Sequence, residues 1–179
     1  HKRIGAEKKA PRAGAEKDFP QLAVLLDNIR SAWNAGSILR SADGFGFDHA
    51  YFCGITPTPE NEAVTKTSLG AENFVAWSYH KDAVELIKLL KQEGWKVCAL
   101  EEGKGAINLG EASTRRGEKI VLALGSEVTG VDPGILRLAD ERIHIPMRGG
   151  KRSFNVSVAF AVAGYALHSA HAKHRKATS

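Results

Sequence analysis

The sequence predicts an α/β domain: a mainly parallel sheet flanked by helices. Three observations predict it. Short apolar runs recur from residue 22 to residue 145, capped helix-forming stretches separate them, and 179 residues at 43% hydrophobic and 25% charged fit one globular domain. The runs are apolar throughout rather than alternating, as in strands buried on both faces of a sheet.

Residues 22–26 (LAVLL) are the first strand. Asn34 then reads as the cap of a helix reaching about Asp43, stopped by Gly44 and Gly46. A second strand covers 50–53, a Pro-containing loop 55–59, a short helix 62–68 and a third strand 75–78. Asp82 opens an amphipathic helix with Val84, Ile87 and Leu90 inward. The fourth strand, 95–100, runs into a loop carrying Gly103, Gly105 and Gly110, and the fifth strand is 120–124. Asp132-Pro133 supply an N-cap and an N1 proline for a helix through Ala139. The sixth strand is 142–145, and a closing helix runs from Asn155 to about His171, capped by Ser153 or Asn155.

Charge divides the chain into a basic flexible arm (1–18), the folded domain (19–172) and a basic tail (173–179). The net charge of +5 is concentrated at the ends, with six Lys/Arg against three acids in 1–18 and Lys173, Arg175 and Lys176 at the other end. Basic tails on a neutral body fit capture of a polyanion, and equally fit solubilising ends. No apolar run is long enough to span a bilayer, and no leader pattern opens the sequence. Cys53 and Cys98 stand alone in apolar runs, which reads as two buried thiols in a reducing cytoplasm. His168, His171 and His174 recur every three residues, a spacing able to hold a metal. Beside three cations they read as a solvated or polyanion-facing tail, and no metal is expected.

One loop draws attention: residues 145–155, with Pro146, cations Arg148, Lys151 and Arg152, and adjacent glycines Gly149 and Gly150 before the closing helix. Paired glycines let a backbone approach a ligand closely. The common phosphate motifs fail here. A P-loop would need Lys151 followed by Ser or Thr, and a glycine at Ile145; Gly103-Lys104-Gly105 lacks the third glycine of a dinucleotide fingerprint.

Three separated motifs are more specific. They are Asn34-x-Gly36-x-x-x-Arg40, Leu124-Gly125-Ser126-Glu127-x-x-Gly130-Val131, and Ile145-Pro146-Met147 with Ser153-Phe154-Asn155-Val156-Ser157-Val158-Ala159. In this order, over residues 20–168, the chain resembles the SpoU/TrmH family of RNA 2′-O-ribose methyltransferases, within the knotted SPOUT class. Val128 and Phe154 depart from the usual glycine and leucine, at positions that shape a cofactor pocket rather than perform chemistry.

The resemblance implies a C-terminal deep trefoil knot and S-adenosyl-L-methionine bound in three loops, at Leu100, Gly125, Ile145, Met147 and Phe154. It implies Arg40 as the catalytic residue, supported by Asn34, Glu127, Ser153 and Asn155, and a homodimer through the closing helix. Arg30, Arg148, Lys151 and Arg152 are then the candidate RNA contacts. A guanidinium is a poor base, so Arg40 is expected to bind a phosphate and stabilise alkoxide charge, with that phosphate helping to accept the proton. Bottom-up, Asn34 and Asn155 equally suit helix caps and Glu127 a surface acid. The small residues Ala159, Ala161, Ala163, Gly164 and Ala166 fit either a dimer contact or internal packing. The RNA is expected to be tRNA rather than ribosomal RNA. An idle RNA-binding protein on the same scaffold, or a methyltransferase acting on a base, stay open as alternatives.

Overall fold

The computed structural model describes residues 3–5, 20–115 and 117–177. Eight strands form one sheet: β1 (Arg3–Gly5), β2 (Gln21–Asp27), β3 (His49–Cys53), β4 (Ala76–His80), β5 (Lys96–Leu100), β6 (Ile107–Asn108), β7 (Lys119–Leu124) and β8 (Glu141–His144). Five α-helices accompany them: α1 (Ala32–Gly44), α2 (Glu62–Ser68), α3 (Ala83–Gln92), α4 (Pro133–Leu138) and α5 (Val156–Ala177). The order across the sheet is β1-β4-β3-β2-β7-β5-β8-β6. Every pairing is parallel except β1 with β4. Of the arm expected over 1–18, only 3–5 is described, as the edge strand β1; residues 1–2 and 6–18 lie outside the described residues.

The central strands are apolar throughout because both faces are covered. Along β2, Leu22, Val24 and Leu26 face one core, and Ala23 and Leu25 the other. β7 repeats the division, with Ile120, Leu122 and Leu124 on the first side and Val121 and Ala123 on the second. α1, α2 and α5 close the first core through Ile38, Leu39, Val64, Phe160 and Leu167. α3 and α4 close the second through Leu86, Ile87, Leu90 and Ile135. Val84, expected inward, is only half-buried at the rim, and Ala83 and Leu86 take the buried positions.

Two boundaries moved for local reasons. Asn34 does not cap α1: Ser31 does, its Oγ accepting from Asn34 N at 3.1 Å, so the helix begins before Asn34. The closing helix runs to Ala177, past the expected stop near His171, because nothing between 171 and 177 is Gly or Pro. A short strand, β6, lies inside what the glycines marked as loop.

Small residues set the helix approaches. A Cβ at Gly36 would collide with Thr67 Oγ1 and the Val64 carbonyl, so α1 and α2 cross nearly backbone to backbone. Gly164 faces Phe45, and Ala163 is fully buried, so these two serve packing within the chain rather than contact with another copy. Phe47 and Phe160 meet edge to face at 5.2 Å beneath them.

The sheet runs outward in two directions from the β2–β7 pair, through β3 and β4 on one side and β5, β8 and β6 on the other. That reversal opens a crevice at the carboxyl ends of the central strands, where ligands of such sheets collect. β8 also lies between β5 and β6, which residues 101–106 connect. β8 is thus inserted between two strands that precede it in the chain.

Candidate active site

A cleft of about 630 Å³ opens at the carboxyl ends of β5, β7 and β8. Of the residues expected to hold a cofactor, Leu100, Gly125, Ile145, Met147 and Phe154 all line it. Glu127, Ser153, Asn155 and Arg152 line it too. Val128 and Phe154, the two departures from the family pattern, are in the lining and largely exposed. Arg30, Arg148 and Lys151 are exposed and lie outside it.

The wall after β7 is tightly built. Gly125 is buried where a Cβ would strike the backbone of Gly130 and Val131. Gly130 has φ +74°, and its N–H donates to the Ser126 carbonyl at 2.9 Å, closing the turn. Ser126 Oγ accepts from Val128 N at 3.2 Å. From the neighbouring loop, Glu101 Oε2 accepts from Val131 N at 2.7 Å and joins two walls of the cleft. Sequence reasoning missed Glu101; its one signal was an acid directly after a strand's carboxyl end, next to Leu100.

Glu127 is the link to α1. Its carboxylate accepts from Arg30 N at 3.0 Å, from Ser31 N at 3.3 Å and from Asn34 Nδ2 at 3.2 Å. Burial alone would raise its pKa. Hydrogen bonds from the Arg30 backbone, its own backbone, the Asn34 amide and the Ser31 backbone outweigh that and hold it below the usual carboxylate range. An anion at the start of α1 also suits the free N–H groups there. Asn34 is therefore buried and functionally tied to the cleft without lining it. Arg40 lies two turns along, exposed on the outer face of α1, and is absent from the cleft lining.

The loop 145–155 differs from its expected description. Gly149 and Gly150 have neither positive φ nor any atom within 4 Å of a Cβ built on them, so close approach does not require them here. Asn155 rather than Ser153 starts α5, its Oδ1 accepting from Ser157 N at 2.9 Å and Ser157 Oγ at 2.6 Å. Among the described residues no three His, Cys, Asp or Glu side chains converge as metal ligands. Cys53 and Cys98 are buried and unpaired with each other. No helix among the described residues is long and apolar enough to cross a membrane.

Electrostatically the cleft is acidic. Glu101, Glu102 and Glu127 are among its lining residues against one cation, Arg152, with the Glu101 and Glu127 carboxylates bonded to N–H groups of the chain. Such a lining favours a cationic group over a phosphate.

The parallel sheet and the glycine-closed cleft at the ends of β5, β7 and β8 carry two of the three motifs, with the first motif on α1 joined to them through Glu127. The chain belongs to the SpoU rRNA Methylase family, which residues 21–165 match. It is 35% identical over 143 residues to the tRNA (guanosine(18)-2′-O)-methyltransferase of Thermus thermophilus, covering 80% of this chain and 72% of that one. The TrmH/SpoU tRNA modifying enzyme of A. aeolicus superposes with a TM-score of 0.76 at 29% identity, covering 89% of this chain and 79% of that one. The AdoMet-bound rRNA methyltransferase of Sinorhizobium meliloti shares the fold, with a TM-score of 0.77 at 22% identity over 86% of this chain. This chain spans 56% of that last protein's length.

Proposed function

We propose that this protein transfers a methyl group from S-adenosyl-L-methionine to a ribose 2′-hydroxyl of RNA, with tRNA favoured over ribosomal RNA. The observation that carries the reading is the acidic, glycine-closed cleft, three carboxylates against one guanidinium. A sulfonium suits that field and a nucleoside triphosphate does not. Leu100, Ile145 and Met147 offer an apolar floor, and Gly125 lets the 125–131 turn close against it. The Thermus relative acts on a guanosine ribose of tRNA, and the Sinorhizobium protein of the same fold holds AdoMet.

When bound, the cofactor supplies an electrophilic methyl for in-line displacement. The chain's own residues then position the hydroxyl and stabilise the charge that develops on its oxygen. Glu127 fixes the start of α1 against the cleft through Asn34 and the Arg30 and Ser31 amides. Arg40, on the outer face of α1, binds the phosphate next to the target ribose and offsets alkoxide charge. Ser153 and Asn155 line the opposite wall, beside Arg152, where RNA enters. Arg30, Arg148 and Lys151 extend the cationic approach outside the cleft.

We infer a homodimer through α5 in the cytoplasm. Val158, Val162 and Tyr165 of α5 are spaced four and three residues apart and exposed by 40–61%. That stripe of one helix face fits a second copy of itself.

Calorimetry with S-adenosylmethionine and with ATP tests the cofactor reading, and label transfer to unfractionated tRNA followed by nuclease digestion locates the methyl. Binding of the first ligand only, with label on ribose, is expected. Label on a base, or saturable RNA binding with no transfer, would overturn it. Arg40→Lys is expected to lower turnover at least tenfold with little change in cofactor affinity; near-normal turnover would remove the requirement for a bidentate guanidinium.

A further inference from the structure

We propose that Trp33 is a stacking platform for a base of the bound RNA, next to the methyl-transfer cleft; this rests on the RNA reading above. Trp33 is the most exposed aromatic side chain among the described residues, at 70%, while Trp77 is buried and Trp95 half-buried. It lies in the first turn of α1. Its neighbour Asn34 donates to Glu127, and Glu127 lines the cleft. Its own carbonyl accepts from Thr67 Oγ1 at 3.0 Å, which anchors this turn to α2.

The outer face of α1 explains what an exposed indole does there. The buried positions are Asn34, Ala35, Gly36, Ile38, Leu39 and Ala42. Trp33, Ser37 and Arg40 occupy the opposite face at spacings of four and three, with Arg40 about 10 Å from Trp33 along the axis. Arg30 is exposed just before the helix. The indole therefore sits between two guanidinium-bearing residues and a serine, not within an apolar patch on its own helix. Flat aromatic surface flanked by cations is how proteins hold single-stranded nucleic acid, the ring taking a base and the cations its phosphates. A ribose 2′-hydroxyl entering a cleft also requires its nucleotide to leave the helical stack, and an exposed indole replaces part of the stacking lost.

Trp33→Ala and Trp33→Phe, with unfractionated tRNA as the probe, test the proposal. Trp33→Ala is expected to weaken tRNA binding by about 5- to 100-fold, the range for loss of one stacked base, with S-adenosylmethionine affinity unchanged. Trp33→Phe should keep affinity within about threefold, again as expected for a retained stacking ring. It should also abolish the quenching of intrinsic fluorescence that tRNA causes in the wild type. Unchanged tRNA affinity in Trp33→Ala, or quenching that persists in Trp33→Phe, overturns the assignment. A fall in sedimenting mass of Trp33→Ala assigns the indole to a protein interface and overturns it too. The wild-type arm separates the two readings: tRNA bound without methyl transfer sinks the enzymatic one, whatever the variants show.

Discussion

The two walls of the cleft are built on opposite plans. Residues 125–131 are held from every side: Gly125 against Gly130, Val131 by Glu101, and Glu127 by three donors around the start of α1. Residues 146–154, across the cleft, are exposed apart from half-buried Met147, and their glycines have open space around them. The first wall is a crowded template and the second an open, cationic loop. A methyl transfer needs both. The electrophile must be held to within a fraction of an ångström, whereas an RNA arriving from solvent needs a surface that accommodates it.

The contrast is broken most severely at Gly125. Gly125→Ala places a methyl into the Gly130 backbone, and is expected to destabilise the fold by about 3 kcal/mol and to abolish cofactor binding. Thermal unfolding and calorimetry read both effects; a stable, cofactor-binding variant would mean the wall is not rigid.

Next comes Glu127→Gln, which keeps the shape and removes the charge. An expected loss of about 1 kcal/mol at neutral pH reflects charge-assisted bonds to a largely exposed group, with turnover down about tenfold. The sign with pH follows from its depressed folded value. The wild type's advantage over Glu127→Gln should be present above the ordinary carboxylate pKa of 4.5 and disappear as pH falls through the lower folded value. Paired denaturation curves across that window show it; a gap that grows in acid would contradict the assignment.

The smallest effect is expected on the other wall. Gly149→Ala and Gly150→Ala should each shift stability by no more than about 0.5 kcal/mol, towards greater stability, because neither glycine is crowded or left-handed. A large loss at either would show that this loop closes into a tighter conformation during function.

The same contrast explains what could be read in advance. Gly125, Ile145, Met147 and Phe154 were legible as cleft residues because the second and third motifs carry them, and Leu100 because it ends a strand beside them. The contact that Asn34 makes was not legible. Its side chain suits a helix cap by local rules, and only a carboxylate 93 positions away decides otherwise. Glu101 carries only the mark of an acid directly after a strand, since its partner is a backbone N–H thirty residues on. The adjacent glycines looked more demanding than Gly130, yet crowding is set by what packs nearby and not by neighbours in the chain.

The sequence by itself determined the central strands, because a run such as Leu22 to Leu26 can be satisfied only between two covered faces, but not the short edge strands β1 and β6. It also determined the helix between Asp82 and Gln92, with Asp82 as its cap. Its motifs determined the family. The tertiary structure alone decided that β8 enters between β5 and β6, and that Glu127 claims Asn34. It alone decided, too, that Arg40 and Trp33 face outward on one side of a helix whose other side is core. Local preference acts over a few residues. These arrangements depend on groups far apart in the chain meeting, as Asn34 and Glu127 do at 3.2 Å across 93 positions, which no short stretch of sequence encodes.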